Sequence, residues 1–77
     1  MSHSKYPLDF ELYNTYHIDH RYKAFVIEFE SIDENECDNY EANYIEQGYK
    51  IFHVSMNRNS KGLFNLKLIV AQMGFTF

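Results

Sequence analysis

His17, His20, Cys37 and His53 carry the side chains of this sequence best suited to binding a transition metal. A structural zinc site is normally assembled from two close-spaced ligand pairs. Here there is one His-x-x-His and no second pair, so the spacing predicts solvated loop histidines and no metal. Cys37 with a distant histidine could also serve as nucleophile and base. An activated thiolate needs positive surroundings, whereas Cys37 stands between Glu36 and Asp38, which favour the neutral thiol. It is expected instead as a small core residue on a helix.

Carboxylates are plentiful, and Glu28 and Glu30 fall on the same face of a predicted strand. Acid–base catalysis needs two carboxylates in different environments inside a concave site, and so small a domain seldom encloses the required ~300 Å³. They are read as surface charge. The only glycines are Gly48, Gly62 and Gly74, too dispersed for a phosphate-cradling loop. The expectation is a protein without a catalytic site or cofactor.

The distribution of charge says more than its net value of −4. Between Lys23 and Lys50 there is no Lys or Arg, yet the interval holds Glu28, Glu30, Asp33, Glu34, Glu36, Asp38, Glu41 and Glu46, a local charge of −8. The flanks carry +4. A nucleic-acid backbone is bound by a basic face, so direct binding is disfavoured. Aromatic residues on a sheet with Arg21, Lys23, Lys50, Arg58, Lys61 and Lys67 in the flanks leave a weak RNA-binding sheet as a third reading. The leading expectation is a protein-binding module that sets its carboxylates against a basic surface, such as the nucleic-acid site of a partner. Glu28, Glu30, Glu34, Glu36, Asp38, Glu41 and Glu46 are its candidate contacts, with Tyr40 or Tyr49 as an aromatic anchor.

In size, acidity, aromatic content and lack of catalytic motifs the chain is similar to the small phage-type inhibitors of host nucleic-acid enzymes, such as anti-CRISPR and anti-restriction proteins. The likeness is one of type. No motif carries it, and it transfers no functional residue.

The elements that would position these residues follow from periodicity. Leu8, Phe10 and Leu12 alternate with Asp9 and Glu11, which predicts a strand over 8–13. Phe25, Ile27 and Phe29 alternate with Ala24, Val26, Glu28 and Glu30, a second strand over 22–30. His17 to Arg21 would join the two as a hairpin. A helix is expected over 33–47: Ser31 with Glu34, or Asp33 with Glu36, has capping-box spacing, and Gly48 suits a left-handed terminator. Cys37, Tyr40, Tyr44 and Ile45 would form its buried stripe. Alternation returns in Phe52, Val54 and Met56, and again in Phe64, Leu66, Leu68 and Val70, with a turn over 57–62.

The predicted fold class is α+β, one compact domain in 1–77, with an antiparallel sheet of four strands, or five if 73–77 adds a short edge strand. The order is β-β-α-β-β, with one helix on one face and 1–6 as a flexible start. The expected core is Leu8, Phe10, Leu12, Phe25, Ile27, Phe29, Cys37, Tyr44, Ile45, Phe52, Val54, Phe64, Leu66, Leu68 and Val70. The other face would expose Tyr13, Val26, Tyr49, Ile51 and Ile69 beside Glu11, Glu28, Glu30, His53 and Lys67. A homodimer paired through that uncovered face is the alternative to the acidic-surface reading. Met1 to Pro7 lacks the apolar run of a signal peptide, and the longest apolar stretches, Ala24–Ile27 and Leu68–Ala71, are too short to span a bilayer. With a single cysteine, the expected location is the cytoplasm.

Overall fold

A computed structural model describes residues 3–72. The chain forms β1 (His3–Pro7), α1 (Phe10–Thr15), β2 (Lys23–Ile32), α2 (Glu34–Glu46), β3 (Tyr49–Arg58) and β4 (Phe64–Gln72). The fold class is α+β, and the four strands make one antiparallel sheet in the order β1-β2-β4-β3. β4 lies inside the sheet because its Leu68–Ala71 run is apolar on both faces, and all four residues are buried. The edges are β1, of which all but Pro7 falls in the 1–6 stretch expected to be a flexible start, and β3.

The first predicted strand is the main local correction. Leu8 to Tyr13 is not a strand: Leu8 and Asp9 are irregular and α1 begins at Phe10. Leu8, Leu12 and Tyr16 recur every fourth residue, so the positions that suggested alternation also satisfy a helical period. Burial selects the helix. Leu8 and Ile18 close a small core with Ala24, Val26, Ile69 and Ala71, against which Leu12, Tyr13, Tyr16, Tyr22 and Phe52 pack. Phe10, expected in the core, points outward and is 71% exposed. Ala24 and Ala71 are cross-strand neighbours whose small side chains let this layer sit close to the sheet.

Tyr13 fastens that layer. Its hydroxyl donates to the carbonyl oxygen of Tyr22 at 3.1 Å and accepts from the amide of Ala24 at 3.0 Å. The sheet face expected to lie bare is thus covered at one end. Val26 and Ile69 are buried under α1 and the segment after it, and Tyr49 and Ile51 pack on the opposite side. The surface offered for homodimer pairing is therefore not assembled.

α2 covers the other face. Ile27, Phe29, Ile32, Cys37, Leu66, Leu68 and Val70 form the main core, with Tyr40, Tyr44, Tyr49 and Ile51 packed around it. The helix matches the expected 33–47 closely. Asp33 occupies the N-cap position with extended backbone, but its side chain makes no cap hydrogen bond, and Ser31 lies outside the cap, so neither capping box forms. Ser31 sits in a β-bulge with φ 55°, its amide bonded to Asn65 Oδ1 and its hydroxyl accepting from Asn59 Nδ2. Gly48 ends the helix as expected, at φ 94°. Ile45, expected in the buried stripe, is 58% exposed.

A second bulge, at Phe52, re-sorts β3. Ile51 pairs with Val70 and His53 with Ile69, so one extra residue stands between them. Ile51, Val54 and Met56 consequently share the α2 face, whereas Phe52 joins the α1 core. Val54, expected as core, is 38% exposed, as is Met56. The 57–62 turn begins later, since β3 runs on to Arg58; Asn59 Oδ1 closes it by accepting from the amides of Lys61 and Leu63. The expectation for 73–77 lies outside the described residues. No helix among the described residues is long and apolar enough to cross a membrane.

Candidate functional site: the acidic helix and the β3 edge

The acidic segment is divided by the sheet. Glu28 lies on the α1 face, opposite Lys67 of β4 and Ser4 of β1, and accepts a hydrogen bond from Tyr6 Oη at 3.0 Å. That bond and the nearby carboxylate hold the Tyr6 phenol above its ordinary pKa. Glu28, Glu30, Ser55, Asn57, Asn65 and Lys67, with Phe29 and Leu66, line a shallow depression of ≈ 260 Å³. Both acids lie on the face away from α2, with Lys67 opposite Glu28 in the register, so they are not part of the helix surface.

The acids of α2 stand on the other side. Glu34, Asp38 and Glu46 are exposed, and Glu36 and Glu41 are half-buried. α2 contains no Lys or Arg, and among the described residues no basic side chain forms an ion pair with its carboxylates. Glu34 and Glu36 in the first turn are favoured by the positive end of the helix dipole, whereas Glu46 lies at the negative end with no basic residue in the last turn.

Neither candidate anchor is free to reach a partner. Tyr40 is half-buried and stacks on Phe29 with ring centroids 4.1 Å apart, and Tyr49 packs edge-on against Tyr44 at 5.4 Å. Both rings belong to the main core layer. Burial raises the Tyr44 phenol above its usual pKa. They hold α2 to the sheet.

Tyr40 also fixes the roll of the helix. By turning one flank toward Phe29 of β2 it turns the opposite flank, where Glu34, Asp38, Glu41 and Ile45 recur at helical spacing, toward β3. α2 starts beside the end of β2 and finishes beside the start of β3, so it crosses the sheet obliquely. Burial on its face of β3 falls accordingly, from half-buried Tyr49 and Ile51 to exposed Val54, Met56 and Arg58. The result is an apolar ledge, Val54 and Met56, along the open edge of β3 and below an acidic flank. Sequence reasoning missed this ledge by assigning Val54 to the core. The legible signal was the contrast between the doubly apolar β4 and the mixed β3, which marks β3 as peripheral.

The four metal-type residues are not brought together. Cys37 is fully buried beneath α2, where desolvation first and then Asp38, Glu34 and Glu36 raise its pKa above that of an ordinary thiol. The histidines lie on the α1 side of the sheet. His17 takes a left-handed turn conformation with φ 57°, His20 stacks on Tyr13 at 5.3 Å, and His53 meets the ring of Tyr16 at 5.3 Å. The basic residues of the RNA reading are likewise dispersed: Arg21 is paired with Asp19 at 2.7 Å, Arg58 covers Phe64, and Lys67 faces Glu28. No known protein family, curated protein or solved structure matches the chain.

Proposed function

We infer that this chain is a non-enzymatic protein-binding module that sets the outer side of α2 against a basic surface of a partner protein. The observation that carries the reading is α2 itself, a thirteen-residue helix bearing Glu34, Glu36, Asp38, Glu41 and Glu46, without one basic residue and held rigidly by Cys37, Tyr40 and Tyr44. Uncompensated carboxylates on a fixed element produce a directed field that speeds encounter with a cationic partner. The partner surface that best matches such a field is one evolved to hold a nucleic-acid backbone. Occupation of that surface would exclude nucleic acid, which makes a small inhibitor the specific form of the proposal.

The test is capture from a lysate of the source cells on immobilised wild-type protein and on the E34K/D38K variant, both sites being exposed. Proteins retained by the wild type, released by added single-stranded DNA and lost on the variant support the reading. An identical retained set on both columns overturns it.

A further inference from the structure

Among the described residues, β3 is a sheet edge with one side left open. It pairs there only with β4, so one row of its backbone N–H and C=O groups is unpaired along a ten-residue strand. Proteins usually blunt such an edge with charge, proline or brevity. β1, the opposite edge, uses all three: it has five residues, including Lys5 and Pro7. In β3 the basic residues are Lys50 and Arg58, near its ends, and Ile51 to Asn57 contains no acid, lysine, arginine or proline. Its bulge lies early, at Phe52, so His53 to Arg58 runs in unbroken register with β4.

The side chains beside this run are suited to one kind of strand. A strand added to β3 would lie about 4.8 Å farther out and send alternate side chains to the α2 face. There they would meet the exposed ledge of Val54 and Met56 and, beyond it, the flank of Glu34, Asp38 and Glu41. Arginine or lysine satisfies both surfaces, since the aliphatic stem lies on the ledge while the cationic head reaches the carboxylates.

We propose that the β3 edge is a strand-addition site for an extended segment of a partner protein carrying Arg or Lys at alternate positions, which joins the sheet as a fifth strand. The proposal rests on the reading of α2 as a partner-binding surface, and it narrows the partner's contact to a flexible basic segment. A second copy of this chain fits less well. Two-fold antiparallel pairing of β3 edges would set the two acidic flanks side by side, with like charges facing.

The test uses the full chain with an acetylated, amidated (Arg-Thr)4 peptide as the probe, read by amide hydrogen exchange and by titration. Saturable binding should slow exchange of the outward amides between His53 and Arg58. N-methylation of alternate peptide nitrogens should abolish binding, and E34K/D38K should weaken it about tenfold. Binding that leaves β3 exchange unchanged, or that survives N-methylation, overturns strand addition while leaving the acidic-surface reading standing. Equal affinity of the peptide for wild type and E34K/D38K in the titration overturns both the basic occupant and the acidic-surface reading. A free protein that sediments as a dimer with its outer β3 amides already protected overturns the proposal in favour of a second copy.

Discussion

The ring of Tyr40 lies on the ring of Phe29, centroids 4.1 Å apart and planes 18° from parallel, so the most prominent tyrosine of the acidic helix is spent on the core. Tyr40→Ala should therefore cost about 2–4 kcal/mol, a large part of the stability of so small a domain. Phe10→Ala, at a ring 71% exposed, should cost less than about 1 kcal/mol. Urea denaturation of the two variants checks the order; a larger loss at Phe10 would contradict the placement of both residues.

Tyr13→Phe removes one hydroxyl and breaks two contacts, those with the Tyr22 carbonyl and the Ala24 amide. Loss of the acceptor for a half-buried amide should cost about 1–3 kcal/mol, equivalent to several degrees or more in Tm. Thermal melting measures it, and an unchanged Tm would show that the α1 layer is held by packing alone.

Glu46→Lys should stabilise the protein by about 0.3–1 kcal/mol, because it exchanges an acid for a cation at the negative end of the α2 dipole. Under the proposed function the same change weakens partner binding. A variant that is more stable and binds less well would identify Glu46 as a residue retained at a cost to stability. Chemical denaturation and the capture assay together decide it.

The pH dependence of the turn after α1 is set by Asp19. Its carboxyl accepts from the Arg21 guanidinium and from the Arg21 amide, which lower its pKa from the reference value of 3.8 to about 2. Since the folded value lies below the unfolded one, the contribution is present above the unfolded pKa and disappears as pH falls through about 2. Both side chains are exposed, so the effect on global stability should be small. Carboxyl-detected NMR titration should find Asp19 near 2 in the wild type and partway back to the ordinary carboxylate range in Arg21→Ala, where the amide bond remains.

Much of this architecture is legible in the sequence where one period dominates. Phe25, Ile27 and Phe29, then Leu66, Leu68 and Val70, reveal their strands and their common face, and Gly48 marks the end of α2. Reading fails where two periods coincide. Leu8, Leu12 and Tyr16 suit a helix and the even positions of a strand alike, and tertiary burial over Ala24 and Ala71 decides between them. It fails again at bulges, because one inserted residue at Phe52 puts Tyr49 and Ile51 on the same face as Val54 and sends Phe52 to the other, against strict alternation. The candidate site suffered from a related limit. Acids only four residues apart, Glu30 and Glu34, are sent by the Ser31 bulge and the start of α2 to opposite sides of the sheet.

The central position of β4 has a bearing on how the protein is made. β3 has no strand partner among the described residues except β4, and β2 relies on β4 along most of its length. During vectorial synthesis α2 and β3 leave the ribosome before the strand that will hold them, so their apolar faces remain solvent-accessible and chaperone-accessible until β4 emerges. A chain stopped after Leu63 should consequently give the circular dichroism of a largely unfolded polypeptide. The sheet can be completed only when this late strand takes its place between β2 and β3.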